Sequence, residues 1–126
     1  MNHLEAERWV IGSLLIDPEN IERIRGKVSP EDFLDSSHSK IFAVIEEIHD
    51  REDIPLDLTT IYSFLKETEG EEFEIAQYLE RDIPTDATLE YWAKVVRRQS
   101  LQRKKYASSA MNLIIGIGIA NSISKI

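Results

Sequence analysis

The residues able to do chemistry are few and poorly grouped. Histidines stand at positions 3, 38 and 49. His38 and His49 fall in one helical stretch and share a face, but about 16 Å of helical rise separates them. They cannot hold one metal ion. Glu46-x-x-His49 has the spacing of a carboxylate-bridged di-iron unit, yet such a site needs a second copy and two further glutamates. A single copy reads as a surface pair. Ser36, Ser37 and His38 are neighbours in sequence, whereas a catalytic triad is defined by geometry in space. The two serines read instead as helix caps. Paired acids recur at Glu31/Asp32, Glu46/Glu47, Glu52/Asp53 and Glu71/Glu72. With 23 acidic residues in 126, such pairs arise by chance and mark solvated faces. Gly26-Lys27 fails as a phosphate loop, because Val28 follows it and Ile21 stands where the first glycine is required. Gly116-Ile117-Gly118 fails as a dinucleotide loop, because Asn121 takes the third glycine position. The sequence therefore predicts no catalytic residue, no metal and no cofactor. An enzyme reading survives only as a metal-dependent hydrolase.

Composition narrows the class. Absence of cysteine excludes a disulfide scaffold and cysteine-based zinc sites, and suits a reducing cytosol. The N-terminus has no basic patch followed by an apolar run, and no apolar stretch approaches the ~20 residues that span a bilayer. A cytoplasmic protein without membrane contact is expected. The net charge of −8 conceals a division. Residues 1–90 carry all 23 acids and 8 basic residues, while residues 91–126 carry 7 basic residues and no acid. An acidic globule repels nucleic acid, so no direct nucleic-acid partner is expected.

Positioning falls to helices. Apolar residues recur with a period near 3.6, and strict alternation is nearly absent. The first helix, Glu5 to Ile16, has Trp9, Val10, Ile11, Leu14 and Leu15 around most of its circumference, the pattern of a central helix. Asp17-Pro18 restarts the chain into a short helix with Ile21 and Ile24. Ser29-Pro30-Glu31-Asp32 repeats the device, with Asp32 as capping-box acid and Phe33 and Leu34 as apolar anchors. A fourth helix runs from about Ser37 to Asp50. Asp57 caps a fifth, with Leu58, Ile61, Tyr62 and Leu65 in register, and Thr68 to Glu72 reads as a polar loop. A short sixth carries Ala76 and Leu79 and ends at Pro84.

A much longer helix follows, from about Ala87 to Ile115, roughly 45 Å in length. The preceding globule should be only about 30 Å across, so the helix should protrude. Leu89, Trp92 and Val96 on one face are expected to anchor it to the globule. Tyr91, Val95, Tyr106 and Leu113 form a second apolar face about 120° away, which predicts self-association. Arg97, Arg98, Arg103, Lys104 and Lys105 suggest a nucleic-acid or acidic-partner patch. Without interleaved aromatics, they read better as a solvated face that offsets the acidic globule. The glycine-interrupted run from Ile114 to Ile119 suggests either a turn between antiparallel helices or a frayed end.

The order of several short motifs resembles a known family. Glu5-Ala6-Glu7, followed by Val10-Ile11-Gly12-Ser13-Leu14-Leu15-Ile16-Asp17, resembles the opening of the N-terminal domain of bacterial replicative DNA helicases of the DnaB family. Asp32-Phe33, then His38 with Ile41-Phe42, resembles its third and fourth helices. Pro55-x-Asp57-x-x-Thr60 resembles its connector. Tyr78-Leu79, Ile83-Pro84-Thr85, Tyr91-Trp92-Ala93 and Val95-Val96-Arg97 resemble the entry into its helical hairpin. The likeness covers about residues 4–111. It departs where Glu72-Phe73-Glu74-Ile75 replaces a glycine pair, and after Gly116, where a second hairpin helix is absent or vestigial. The linker and motor domain are also absent from these residues.

The resemblance implies an all-α fold: a small orthogonal helical bundle over residues 1–85, then a long protruding helix, the first arm of a hairpin, over 86–126. It implies a non-catalytic collar domain that pairs into dimers, and into a trimer of dimers above a ring of motor domains. It implies docking of the C-terminal helicase-binding domain of primase, and of a helicase loader. ATP and Mg2+ are implied only for the motor domain. The alternative is a stand-alone helical adaptor that binds or inhibits a host replicative helicase.

Overall fold

The computed structural model describes residues 3–70 and 86–124, with side chains given between 4 and 113. Five α-helices run along these spans: α1 (His3–Ile16), α2 (Ile21–Ile24), α3 (Ser36–Asp50), α4 (Leu58–Glu69) and α5 (Leu89–Ser124). Short 3-10 turns precede α2, α3 and α5 at Pro18–Asn20, Pro30–Asp32 and Asp86–Thr88. No strand occurs among the described residues, and the fold is all-helical.

The core is organised around α1. Ala6, Val10, Ile11 and Leu14 are wholly buried and Leu15 nearly so, because apolar residues cover more than one stripe of the helix. α1 packs against α5 and α3, and α4 closes over α3. Ile41, Phe42, Ile45 and Ile48 of α3 and Ile61 and Leu65 of α4 complete the interior. Each such side chain stabilises the fold by about 1.5–3 kcal/mol.

Caps set where helices begin. Asp35, rather than Ser36 or Ser37, caps α3 by accepting from the Ser37 N–H at 2.8 Å and the His38 N–H at 3.2 Å. A carboxylate adds favourable charge to the helix dipole, so it outcompetes the hydroxyls that follow. Asp57 caps α4 by accepting from the Thr60 N–H at 2.8 Å, and that bond holds its carboxyl below the ordinary value. α4 runs on to Glu69, taking in Thr68 and Glu69 of the expected polar loop. It stops at Gly70, whose φ of 89° suits a residue without Cβ.

Two other expectations change. Ser29 to Leu34 makes one 3-10 turn instead of a helix. The capping box forms there, but of the two apolar anchors only Phe33 is buried, and Leu34 stands 49% exposed. Nor does the chain turn at Gly116: α5 continues through both glycines to Ser124. Glycine costs a helix about 1 kcal/mol but does not stop it as proline does. The expected short helix with Ala76 and Leu79 lies outside the described residues.

Candidate functional site

α5 is 36 residues long, about 54 Å of rise. Two charged clamps hold its first half on the globule. At its start, Arg23 of α2 grips Glu90, with Nε to Oε1 at 2.7 Å and Nη2 to Oε2 at 2.8 Å. The same guanidinium donates to the Asp86 carbonyl at 2.6 Å. This bidentate bond holds the Glu90 carboxyl down at about 2.

The second clamp is centred on Asp32, which is wholly buried. Its Oδ2 closes the capping box with the Ser29 N–H at 2.9 Å. Its Oδ1 accepts from Ser100 Oγ at 2.7 Å and Arg97 Nη1 at 2.9 Å, both on α5. Arg103 Nη2 donates to the Asp32 carbonyl at 2.7 Å. Burial pushes this carboxyl up, but the bonds from Ser100, the Ser29 N–H and Arg97 outweigh it and hold it below the ordinary value. Lys104 reaches Glu31 at 3.7 Å. Three cations of α5 thus pair with acids or the backbone of the 3-10 turn, while Arg98 and Lys105 are exposed.

The predicted anchors lie where α5 meets α1. Leu89 and Val96 are buried, and Trp92 packs half-buried against the core, edge-on to Trp9 at 4.3 Å between ring centres. The second face divides. Tyr91, Tyr106 and Leu113 stand 57%, 77% and 66% exposed, but Val95 is buried with the anchors. Over its first turns the globule covers more than half the helix circumference, enough to reach Val95. That residue belongs to the core and is removed from the open flank. Met111, on the anchor face by spacing, is 56% exposed because the globule ends before it. Every residue from 104 to 113 is exposed.

His38 and His49 do structural work. His38 is buried with Nδ1 2.9 Å from Glu7 Oε1. Glu7 also accepts from the N–H groups of Leu34 at 2.7 Å and Asp35 at 3.2 Å. This pair joins α1 to the start of α3 and is closed to a substrate. Its signal in the sequence is Glu7 at three, four and seven residues before Val10, Ile11 and Leu14, a carboxylate in a core stripe. His49 lies 3.1 Å from both Glu22 Oε1 and Arg25 Nη1. Glu19, Glu22 and His49 bring ligand atoms within 4.8 Å of one another. Both ring nitrogens are already engaged, and Arg25 places a positive charge beside them. Glu46 faces Arg25 at 3.8 Å rather than completing a metal unit with His49. A cleft of about 460 Å3 lies between the Gly26 turn, Glu46 and Arg97, but Arg25 and Arg97 there are bound to Asp50 and Asp32. Among the described residues no helix is long and apolar enough to cross a membrane.

Comparison with known proteins completes the assignment. The family described as DnaB-like helicase N terminal domain matches residues 1–98. Replicative DNA helicase DnaB of Geobacillus stearothermophilus is 34% identical over 105 residues, covering 80% of this chain and 23% of that protein. Replicative DNA helicase DnaC of Bacillus subtilis (strain 168) is 34% identical over 106 residues, covering 81% of this chain and 23% of that protein. The chain thus spans about a quarter of the length of these relatives. The crystal structure of the N-terminal domain of DnaB helicase from Mycobacterium tuberculosis superposes with a TM-score of 0.76 at 25% identity, covering 90% of this chain and 85% of that one. The helical globule, the helix clamped to it and these likenesses agree, and the chain belongs to the DnaB-like helicase N-terminal domain family.

Proposed function

We propose that this chain is the collar domain of a replicative DNA helicase, a module for assembly and docking rather than catalysis. It self-associates through the open flank of α5, as a dimer and, in the full ring, as a trimer of dimers. It receives the C-terminal helicase-binding domain of primase and a helicase loader. ATP, Mg2+ and DNA strands are handled by the motor domain, and the collar itself uses no cofactor.

The carrying observation is the stretch of α5 from Tyr106 to Leu113, every residue of which is exposed. Tyr106, Met111 and Leu113 expose 77%, 56% and 66% of their surface. Large apolar side chains grouped on one helix, with water on every side, mark a protein contact. The clamps at Glu90 and Asp32 fix the direction in which this surface projects.

Light scattering on the chain, alone and with the C-terminal domain of primase, tests both roles. A mass of two chains is expected alone, and a larger complex with primase. Tyr106→Asp with Leu113→Asp should give a monomer whose melting temperature and globule helicity are unchanged. A wild-type chain that stays monomeric at high concentration overturns the assembly role. A mixture with primase that never exceeds its parts overturns the docking role.

A further inference from the structure

Charge along α5 falls in two blocks. Six cations lie between Lys94 and Lys105, and residues 106–124 contain no charged side chain. Of the six, Arg97, Arg103 and Lys104 reach back to the 3-10 turn at Asp32. Lys94, Arg98 and Lys105 are exposed and meet no carboxylate among the described residues. Acids are in excess, 23 against 15 basic residues, and Arg23, Arg25, Lys40 and Arg51 all hold one. Glu90, one turn before Lys94, is taken by Arg23 instead. Beyond Glu90, α5 carries no acid.

At about 100° per residue, Lys94, Arg98 and Lys105 fall within about 40° of one line. Tyr91 and Leu101, 57% and 49% exposed, lie on the same side of the helix. Leu89, Val96 and Ser100, all buried, occupy the opposite side. The globule and its acids therefore lie across the width of α5, about 10 Å. That distance exceeds a Debye length of ~8 Å at physiological salt, so the line presents its own positive charge outward.

We infer that this line receives an acidic amphipathic helix of a partner protein, laid along the outer side of α5. The inference is independent of the self-association and the primase docking proposed above. Charge selects the sign of the partner, since three cations stand together with no acid of their own. Spacing selects its form. Along the axis, Lys94 to Arg98 is about 6 Å and Arg98 to Lys105 about 10.5 Å. A helix alongside rises at the same rate, so acids four and seven residues apart on one of its faces meet all three cations. An extended strand repeats a side only every 6.6 Å or so. It matches the first interval and misses the second by about 3 Å. The apolar residues select the partner's class. Tyr91 and Leu101 stand among the cations, as contacts for apolar residues on the same face of the incoming helix. A nucleic-acid strand would find one aromatic side chain there, where strand-binding grooves offer a series.

The probe is a fluorescein-labelled, alanine-based helical peptide of roughly 21 residues, long enough to hold helix in water. Its glutamates are spaced by four and seven, with leucines three residues before the first and three after the second. Fluorescence anisotropy with the full chain should show saturable binding that weakens between about 0.05 and about 0.5 M sodium chloride. Lys94→Gln, Arg98→Gln and Lys105→Gln together should weaken it about tenfold or more. The melting temperature should not move, because none of the three has a partner to lose. A peptide of the same composition, with its glutamates spread around the helix, should bind severalfold less well. Equal binding of the two peptides would reduce the line to bulk charge and overturn the helical partner. An oligothymidylate that binds more tightly than the matched peptide would make the line a nucleic-acid site and overturn the protein partner. Absence of binding, or binding that the triple variant leaves unchanged, overturns the proposal outright.

Discussion

At the scale of single residues, Asp32 carries the most. One carboxylate caps the 3-10 turn, takes a hydroxyl from Ser100 and a guanidinium from Arg97, and so ties two elements 65 residues apart. Removing it leaves the Ser100 hydroxyl buried without that acceptor and the turn without its capping acid. Asp32→Ala should cost about 2–3 kcal/mol in urea unfolding, at the upper end for an unmade buried hydrogen bond. Arg97→Ala should cost less, about 1 kcal/mol, because the Arg97 side chain is 42% exposed and water replaces much of its contact. The reverse order would show that the guanidinium, not the carboxylate, is the keystone. Half of this residue's role was legible. Ser29-Pro30-Glu31-Asp32 announces a capping box, since both partners lie within four residues. Nothing local announces Ser100 or Arg97, because hydrogen bonds across such a sequence distance depend on how helices pack. Glu7 and His38 escaped for the same reason, although a glutamate in the core stripe of α1 was a usable sign.

At the scale of elements, helices were read closely and their ends less so. The 3.6-residue period found α1, α3, α4 and α5, because a buried stripe is written in every turn. Asp35 displaced the serines as cap, and α5 ran past Gly116, because ends are decided by differences of about 1 kcal/mol that several residues can supply. The start of α5 makes a pH-sensitive contact. The Glu90 carboxyl titrates at about 2 in the folded chain, against an ordinary value of 4.5. A group with a depressed folded value contributes stability that is fully present above 4.5 and is lost as pH falls towards 2. The side chains of Arg23 and Glu90 are 32% and 34% exposed, so solvent screening makes the contribution smaller than the shift alone implies. Thermal melts across that window should fall with acid in the wild type. Glu90→Gln should start lower at neutral pH and fall less steeply. Some slope remains in the variant, because Asp32 also titrates below its ordinary value. Parallel pH curves for the two proteins would remove Arg23–Glu90 as a stabilising contact.

At the scale of the whole molecule, the division of charge sets how copies meet. The formal net charge is −8 per chain, so two copies repel at long range whatever surfaces they present. Two modes of self-association remain physically open to a basic rod on an acidic globule. In one, the rod of each copy lies against the acids of the other. In the other, the uncharged segment 106–124 pairs with itself and the charges stay apart. Salt distinguishes them, since the Debye length falls from about 10 Å at 0.1 M to about 3 Å at 1 M. Rod-to-acid contacts would weaken as they are screened. Contact through an uncharged seam loses no attraction, while the repulsion between like-charged copies fades. Burial of Tyr106 and Leu113 is also strengthened by excluded salts such as sulfate. Sedimentation equilibrium between 0.05 and 0.5 M sodium chloride should therefore show a dimer that tightens with salt. A dimer that loosens severalfold over that range would place the second copy on the acidic globule, and the cationic line of Lys94, Arg98 and Lys105 would then be the interface.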